Sequence, residues 1–184
     1  MKTAIGIDIQ EGFTRGSLKN DAAIALLPKI KKFIKDFQGP LIFSQDEHNS
    51  KLFPYTLEGQ KLGVLHCCSD EEAPDQAQKD FDLVPEVLEA AEGKCYDIIE
   101  KPTFGTFEWA KFDRIVVQAE ELYVFGFVSD ICVISNLLIL RVMFPDKKIV
   151  WLAYLSAGTT PENHQAAIAV ARSCEIEVIE KEAA

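Results

Sequence analysis

Positive charge is scarce in this chain: 184 residues carry 19 lysines and arginines against 29 aspartates and glutamates, a net charge of −10. That balance argues against nucleic acid or an anionic membrane as a partner, because both are bound through basic patches. Some of the acidity is local, in Asp70-Glu71-Glu72 with Asp75 and in the tail from Glu175 to Glu182, and such runs belong on solvated loops and ends. No apolar run reaches bilayer-spanning length; the longest, 131–144, is broken by Ser135, Asn136 and Arg141. The five cysteines form no CxxC pair and are irregularly spaced. Met1-Lys2-Thr3 leads straight into a short strand, with no signal-peptide pattern, so free thiols in a reducing cytoplasm are expected. Internal repeats, low-complexity tracts and linkers are missing too.

What is present is an ordinary globular composition, 48% hydrophobic and 26% charged, in a length that suits one core. A single domain over 1–184 is expected. Short β-rich runs (4–9, 41–44, within 96–101, 121–125, 149–152 and 176–179) alternate with helical stretches (22–37, 84–91, 106–113, 131–142 and 161–173). Nearly continuous apolar strands between helices predict an α/β fold, a mostly parallel sheet covered on both faces. Ligands of such sheets bind beyond the carboxyl ends of the strands, near the topological switch point. The irregular segment 45–81 is long for a compact domain, and loops of that length are often functional.

Reactive side chains follow the strands. The first ends in Asp8, the third in Lys101, and the fourth runs into Gly126-Phe127-Val128-Ser129-Asp130-Ile131-Cys132-Val133. Cys132 is thereby expected in the first turn of a helix, where free backbone N–H groups favour a thiolate and can hold an oxyanion. Taken singly, Cys132 reads as a small buried hydrophobe, Asp8 as a loop cap and Lys101 as a surface lysine. Together they form a base, an electrostatic partner and a nucleophile, the set required for amide hydrolysis through a thioester. The Lys101 ammonium is expected to keep Asp8 ionised and to stabilise the Cys132 thiolate.

A second constellation lies in the long segment. The chain has three histidines, and His48 and His66 both fall there, with Asp46 two residues before His48. One carboxylate and two imidazoles suit zinc or another divalent transition metal with positions left for water or substrate, and Glu58 is a possible further ligand. Cys67 and Cys68 could instead build a structural zinc site, although adjacent cysteines suit this less well.

These pieces resemble the isochorismatase-like cysteine hydrolase superfamily and, within it, the nicotinamidase/pyrazinamidase branch. Asp8-Ile9-Gln10-Glu11-Gly12-Phe13 resembles the family's D-x-Q-x-x-F motif, Asp46-Glu47-His48 its D-x-H metal motif, and Leu65-His66-Cys67 the segment ending in histidine-cysteine. Glu100-Lys101-Pro102 resembles the catalytic-lysine motif, 126–133 the nucleophile motif, and 156–167 the C-terminal segment. The resemblance implies a three-layer α/β/α fold with about six strands, the isochorismatase-like hydrolase fold. It implies Asp8 as catalytic base, Phe13 against the substrate ring, and a cis peptide between Phe127 and Val128 that sets the Val128 amide beside that of Cys132 in an oxyanion hole. His164 then ties down a neighbouring loop. The function implied is a zinc-containing amidohydrolase that converts nicotinamide, or a similar small carboxamide, to the acid and ammonia; association into a homo-oligomer is also compatible with the family.

After His66-Cys67 the chain carries Cys68-Ser69-Asp70-Glu71-Glu72-Ala73-Pro74, where nicotinamidases often have a Gly/Thr-rich turn, so the substrate is the open element. Two other readings stand beside this one. A related amidase or an isochorismatase-type vinyl-ether hydrolase is the first, and the metal motif argues against the vinyl-ether chemistry. The second is a catalytically silent binding module, opposed by the complete Asp8, Lys101 and Cys132 set.

Overall fold

Six strands form one sheet; the four inner ones are buried, largely apolar runs, and the two at the edges are part-exposed. The six are β1 (Lys2–Ile7), β2 (Leu41–Asp46), β3 (Tyr96–Lys101), β4 (Glu121–Phe127), β5 (Lys148–Ala157) and β6 (Glu177–Ile179). The computed structural model describes residues 1–182, apart from the side chains of Asp113 and Arg114. The last two residues of the expected 1–184 domain lie outside the described residues.

The strand order is β3-β2-β1-β4-β5-β6 and every pairing is parallel. The sheet is thus wholly rather than mostly parallel. Chain order reverses between β1 and β4, which puts the switch point in the middle of the sheet. One face is covered by α1 (Asp21–Asp36) and α4 (Pro85–Ala91), the other by α5 (Ile134–Met143) and α6 (Pro161–Ser173). Helix α1 starts where the Asn20 side chain accepts from the amides of Ala22 and Ala23. It buries Ala23, Leu27, Ile30 and Ile34, and that burial overrides an interior Pro28.

Several boundaries differ from the expected ones. Strand β1 stops at Ile7, because Asp8 turns into the left-handed region at φ 46°. Strand β5 runs to Ala157, well beyond the expected 149–152, since the small residues after Leu152 rejoin β4 past an irregularity, with Ser156 opposite Gly126. The segment 45–81 contains two short helices, α2 (Leu57–Leu62) and α3 (Asp75–Phe81). The first is bounded by the Thr56 side chain, which accepts from Gly59 N, and by Gly63 at φ 64°. The stretch 106–113 holds a tight turn at Glu108–Lys111 and then a wide one at Asp113–Val117.

Candidate active site

The carboxyl ends of β3, β2, β1 and β4 bring together residues that are far apart in sequence. Lys101, the last residue of β3, is entirely buried, and so is Asp8 just past β1; their Nζ and Oδ2 atoms lie 2.7 Å apart. The Lys101 ammonium also donates to Asp46 Oδ1 at 3.2 Å and to the Thr103 carbonyl at 3.0 Å, and it stands 3.7 Å from Cys132 Sγ. One cation therefore touches a base candidate, a metal-ligand candidate and a thiol. All three expected residues, Asp8, Lys101 and Cys132, meet here.

The wide turn Ser129–Val133 carries Cys132, and regular α-helix begins only at Ile134. Cys132 thus stands in the opening turn of a helix, as expected, and that turn is a wide one: Val128 O accepts from both Ile131 N and Val133 N. Before it, the Phe127–Val128 peptide is cis, as the resemblance implies, and Gly126 has φ 121°. A Cβ on Gly126 would sit 2.1 Å from Ile7 O, so only glycine lets β4 pass β1 here. The turn is tied down from two sides. Ser129 Oγ hydrogen-bonds His164 Nδ1 at 2.8 Å, and the Asp130 carboxylate accepts from Thr159 N and Thr159 Oγ1. His164 does tether a neighbouring loop, and that loop holds the cysteine.

Burial dominates the electrostatics. It pushes the Cys132 thiol well above its usual range, and the charges of Asp8 and Asp46 add to this against the opposing pull of Lys101. Burial at Cys132 therefore opposes the thiolate that Lys101 favours. The Asp8 carboxyl is raised by burial too, with Lys101 and Ser44 lowering it only in part. For Asp46 burial acts upward, but the Lys101 ammonium and the two histidines outweigh it and hold the carboxyl below its ordinary value.

The four expected metal ligands also converge. One ligand atom from each of Asp46, His48, Glu58 and His66 falls within 4.8 Å of the others. His48 Nε2 lies 2.9 Å and His66 Nε2 3.6 Å from Asp46 Oδ2, yet neither nitrogen has a hydrogen-bond partner although both are buried. Buried polar atoms left unpaired in this way need an explanation, and a cation between them supplies one. Two imidazoles and two carboxylates fit a divalent transition metal of the zinc type. The cysteines of the loop play no part: Cys67 Sγ donates to Asp80 O and Cys68 Sγ to His66 O. Phe53 and Phe13 pack around the imidazoles, Phe53 4.1 Å from the His48 ring centre and Phe13 edge-on to His66 at 6.0 Å.

A cavity of about 720 Å³ opens above this floor, lined by Phe13, Asp46, Glu58, Phe104, Val128 and Cys132 among others. Asp8 and Lys101 lie beneath it, out of solvent.

Three residues to which the sequence assigns no role prove central. Ser44 Oγ donates to Asp8 Oδ1 at 2.6 Å. Gln10 grips the Asp46 backbone, donating to its carbonyl at 3.0 Å and accepting from its amide at 2.7 Å, and it donates to Phe81 O as well. Asn136, which breaks the apolar run of α5, donates to Cys132 O and Phe104 O. A polar residue inside an apolar stretch was the available signal for Asn136.

Among solved structures, the chain is similar to a nicotinamidase from Bacillus subtilis, with 21% identity and TM-score 0.73 over 97% of this chain and 99% of that one. A Pyrococcus horikoshii pyrazinamidase in complex with zinc gives 18%, 0.71, 98% and 99% in the same order. An N-carbamoylsarcosine amidase from Thermoplasma acidophilum gives 17%, 0.73, 99% and 98%. At such identities the likeness is one of fold. No curated protein matches the chain. Residues 3–183, nearly the whole chain, match the model of the isochorismatase domain, and the chain belongs to the isochorismatase family.

Proposed function

We propose that this protein is a cysteine amidohydrolase, one domain working in a reducing, cytoplasmic setting, that cleaves nicotinamide or a similar small neutral carboxamide to the acid and ammonia. The observation that carries this reading is the single buried ammonium of Lys101, within 2.7 Å of Asp8 and 3.7 Å of Cys132 at the floor of the cavity. Asp8 takes the thiol proton as Cys132 Sγ attacks the amide carbon, and Lys101 offsets the negative charge that passes between them. The amides of Val128 and Cys132 receive the oxyanion. Asp8 then returns the proton to nitrogen, the C–N bond breaks and ammonia leaves. A water molecule attacks the thioester, giving its proton to Asp8, and the released sulfur is reprotonated. Burial raises the Cys132 thiol, so the step draws on a base, and Asp8, itself raised by burial, is placed for that task.

Phe13 packs on the ring, and Asp46, His48, His66 and Glu58 would hold the metal. A divalent metal bound there would orient the ring and polarise substrate or water. The wall favours an uncharged substrate. Among the described lining residues the cation facing the cavity is Lys19, which is 2.8 Å from Asp21, while Lys101 is covered by two carboxylates. Apart from a bound metal, a carboxylate-bearing substrate such as an N-carbamoyl amino acid would find no unpaired side-chain cation among these lining residues.

The test is ammonia release from a panel of small carboxamides, with and without chelator. Activity on nicotinamide that vanishes in Cys132→Ala is the expected outcome. A Cys132→Ala protein that still releases ammonia at the wild-type rate sinks the thioester route.

A further inference from the structure

The reaction cavity has a neighbour. A second hollow of about 390 Å³ is lined by the apolar Phe53, Leu57, Pro102 and Phe104, with Thr56, Lys61 and Thr103 among them and His48 and Glu58 also on its wall. Glu58 and Phe104 line both cavities, so the two adjoin across these side chains, beside the metal-ligand candidates. Its walls are mostly apolar, and two of them face solvent to an unusual degree: Leu57 is 87% exposed and Phe104 43%. Leu62, at 43%, stands on the rim of the first cavity. Large apolar side chains gathered at a cavity mouth mark a surface that a ligand covers. The first cavity alone, about 720 Å³, already falls in the range that takes drug-sized ligands, and one pyridine ring with its carboxamide fills only part of it.

We propose that the second cavity is an apolar subsite for a substituent on the ring edge away from the reacting carboxamide, which makes the preferred substrates neutral aromatic carboxamides bearing a short alkyl or aryl group. The inference rests on the thioester reading for its orientation, since that reading fixes the carboxamide at Cys132 and turns the far edge of the ring toward Glu58 and His48. Phe53, Leu57, Pro102 and Phe104 then take the substituent out of water. Specificity is therefore set by segments 53–61 and 102–104, not by the catalytic floor.

The test is calorimetric binding of 5-alkylnicotinamides, from the unsubstituted amide to butyl, to zinc-loaded Cys132→Ala protein, which binds without turnover. Each methylene is expected to tighten Kd by up to about fourfold. Adding Leu57→Asp, a change at an exposed first-turn position, is expected to flatten that trend. Adding Val142→Asp, at a 77% exposed residue lining neither cavity, is expected to preserve it. Affinity that is flat, falling or undetectable along the series overturns the subsite, as does an unaltered trend in the Leu57→Asp protein. Ammonia release by the wild-type enzyme is followed in parallel. Graded binding without any Cys132-dependent ammonia would retain the subsite and remove the thioester reading; ammonia from nicotinamide with flat affinities would do the reverse.

Discussion

Lys101 brings Asp8, Asp46 and Cys132 to one point beneath the cavity. It is a fully buried ammonium held by two carboxylates, and removing one member of such a cluster leaves uncompensated charge behind. Lys101→Met is expected to lower stability by about 3–5 kcal/mol in urea titrations, and to abolish ammonia release in whatever fraction stays folded. Ser44→Ala is the gentler probe. Its hydroxyl donates to Asp8 and lowers that carboxyl, so its loss raises Asp8 further. A base works only when ionised. The acid limb of the kcat/KM profile should therefore lie above the ordinary aspartate range in the wild type, and Ser44→Ala should move it to higher pH. A limb that stays in place would remove Asp8 as the titrating base.

At the scale of elements, the site depends on how strand ends are fastened to one another. Gly126→Ala would drive a Cβ into Ile7 O at a backbone angle that side chains rarely adopt, and a loss of about 3 kcal/mol in stability is expected on denaturation. Gln10 clamps the end of β2 to the segment after β1 and to the end of α3. A glutamate cannot donate to the two carbonyls that Gln10 serves, so Gln10→Glu is expected to weaken zinc binding by roughly 10–100-fold in chelator competition while circular dichroism stays native-like.

These fastenings also mark where the sequence stops being readable. Asp8, Lys101 and Cys132 stand out because each is a reactive residue placed after an apolar strand, and the parallel sheet that unites them follows from the strand–helix alternation. Ser44 and Gln10 do not stand out, because their partners are set by register: Ile7 pairs with Ser44, which delivers the hydroxyl to Asp8. Helices α2 and α3 span six and seven residues, too short for a periodic signal, and they persist through caps and tertiary contacts. The complete burial of the Cys132 thiol is likewise hidden: its sequence neighbours favour a thiolate, and burial pulls the other way.

At the scale of the whole molecule, the metal group ties the long segment to the sheet. Asp46 ends β2, Glu58 lies in α2, and His66 precedes the buried Cys67-Cys68 pair. A cation at a hundred times its Kd stabilises the folded chain by about 2.7 kcal/mol, so chelation should lower Tm by roughly 5–10 °C. Scanning calorimetry with and without zinc reads this directly, and an unchanged Tm would count against a bound metal. No helix is long and apolar enough to cross a membrane among the described residues.

The strand order has a consequence for how the protein is made. Strand β1 emerges first from the ribosome, but it lies between β2 and β4, and Ile7 finds Gly126 only after most of the chain exists. Cys132 and Asp8 thus come from the two ends of a very large loop, a pairing that is slow because closure entropy is lost before contacts repay it. Nascent chains released before β4 should hold Asp8, Asp46 and Lys101 without any reactive partner, so competence for catalysis arrives as one of the last events of folding.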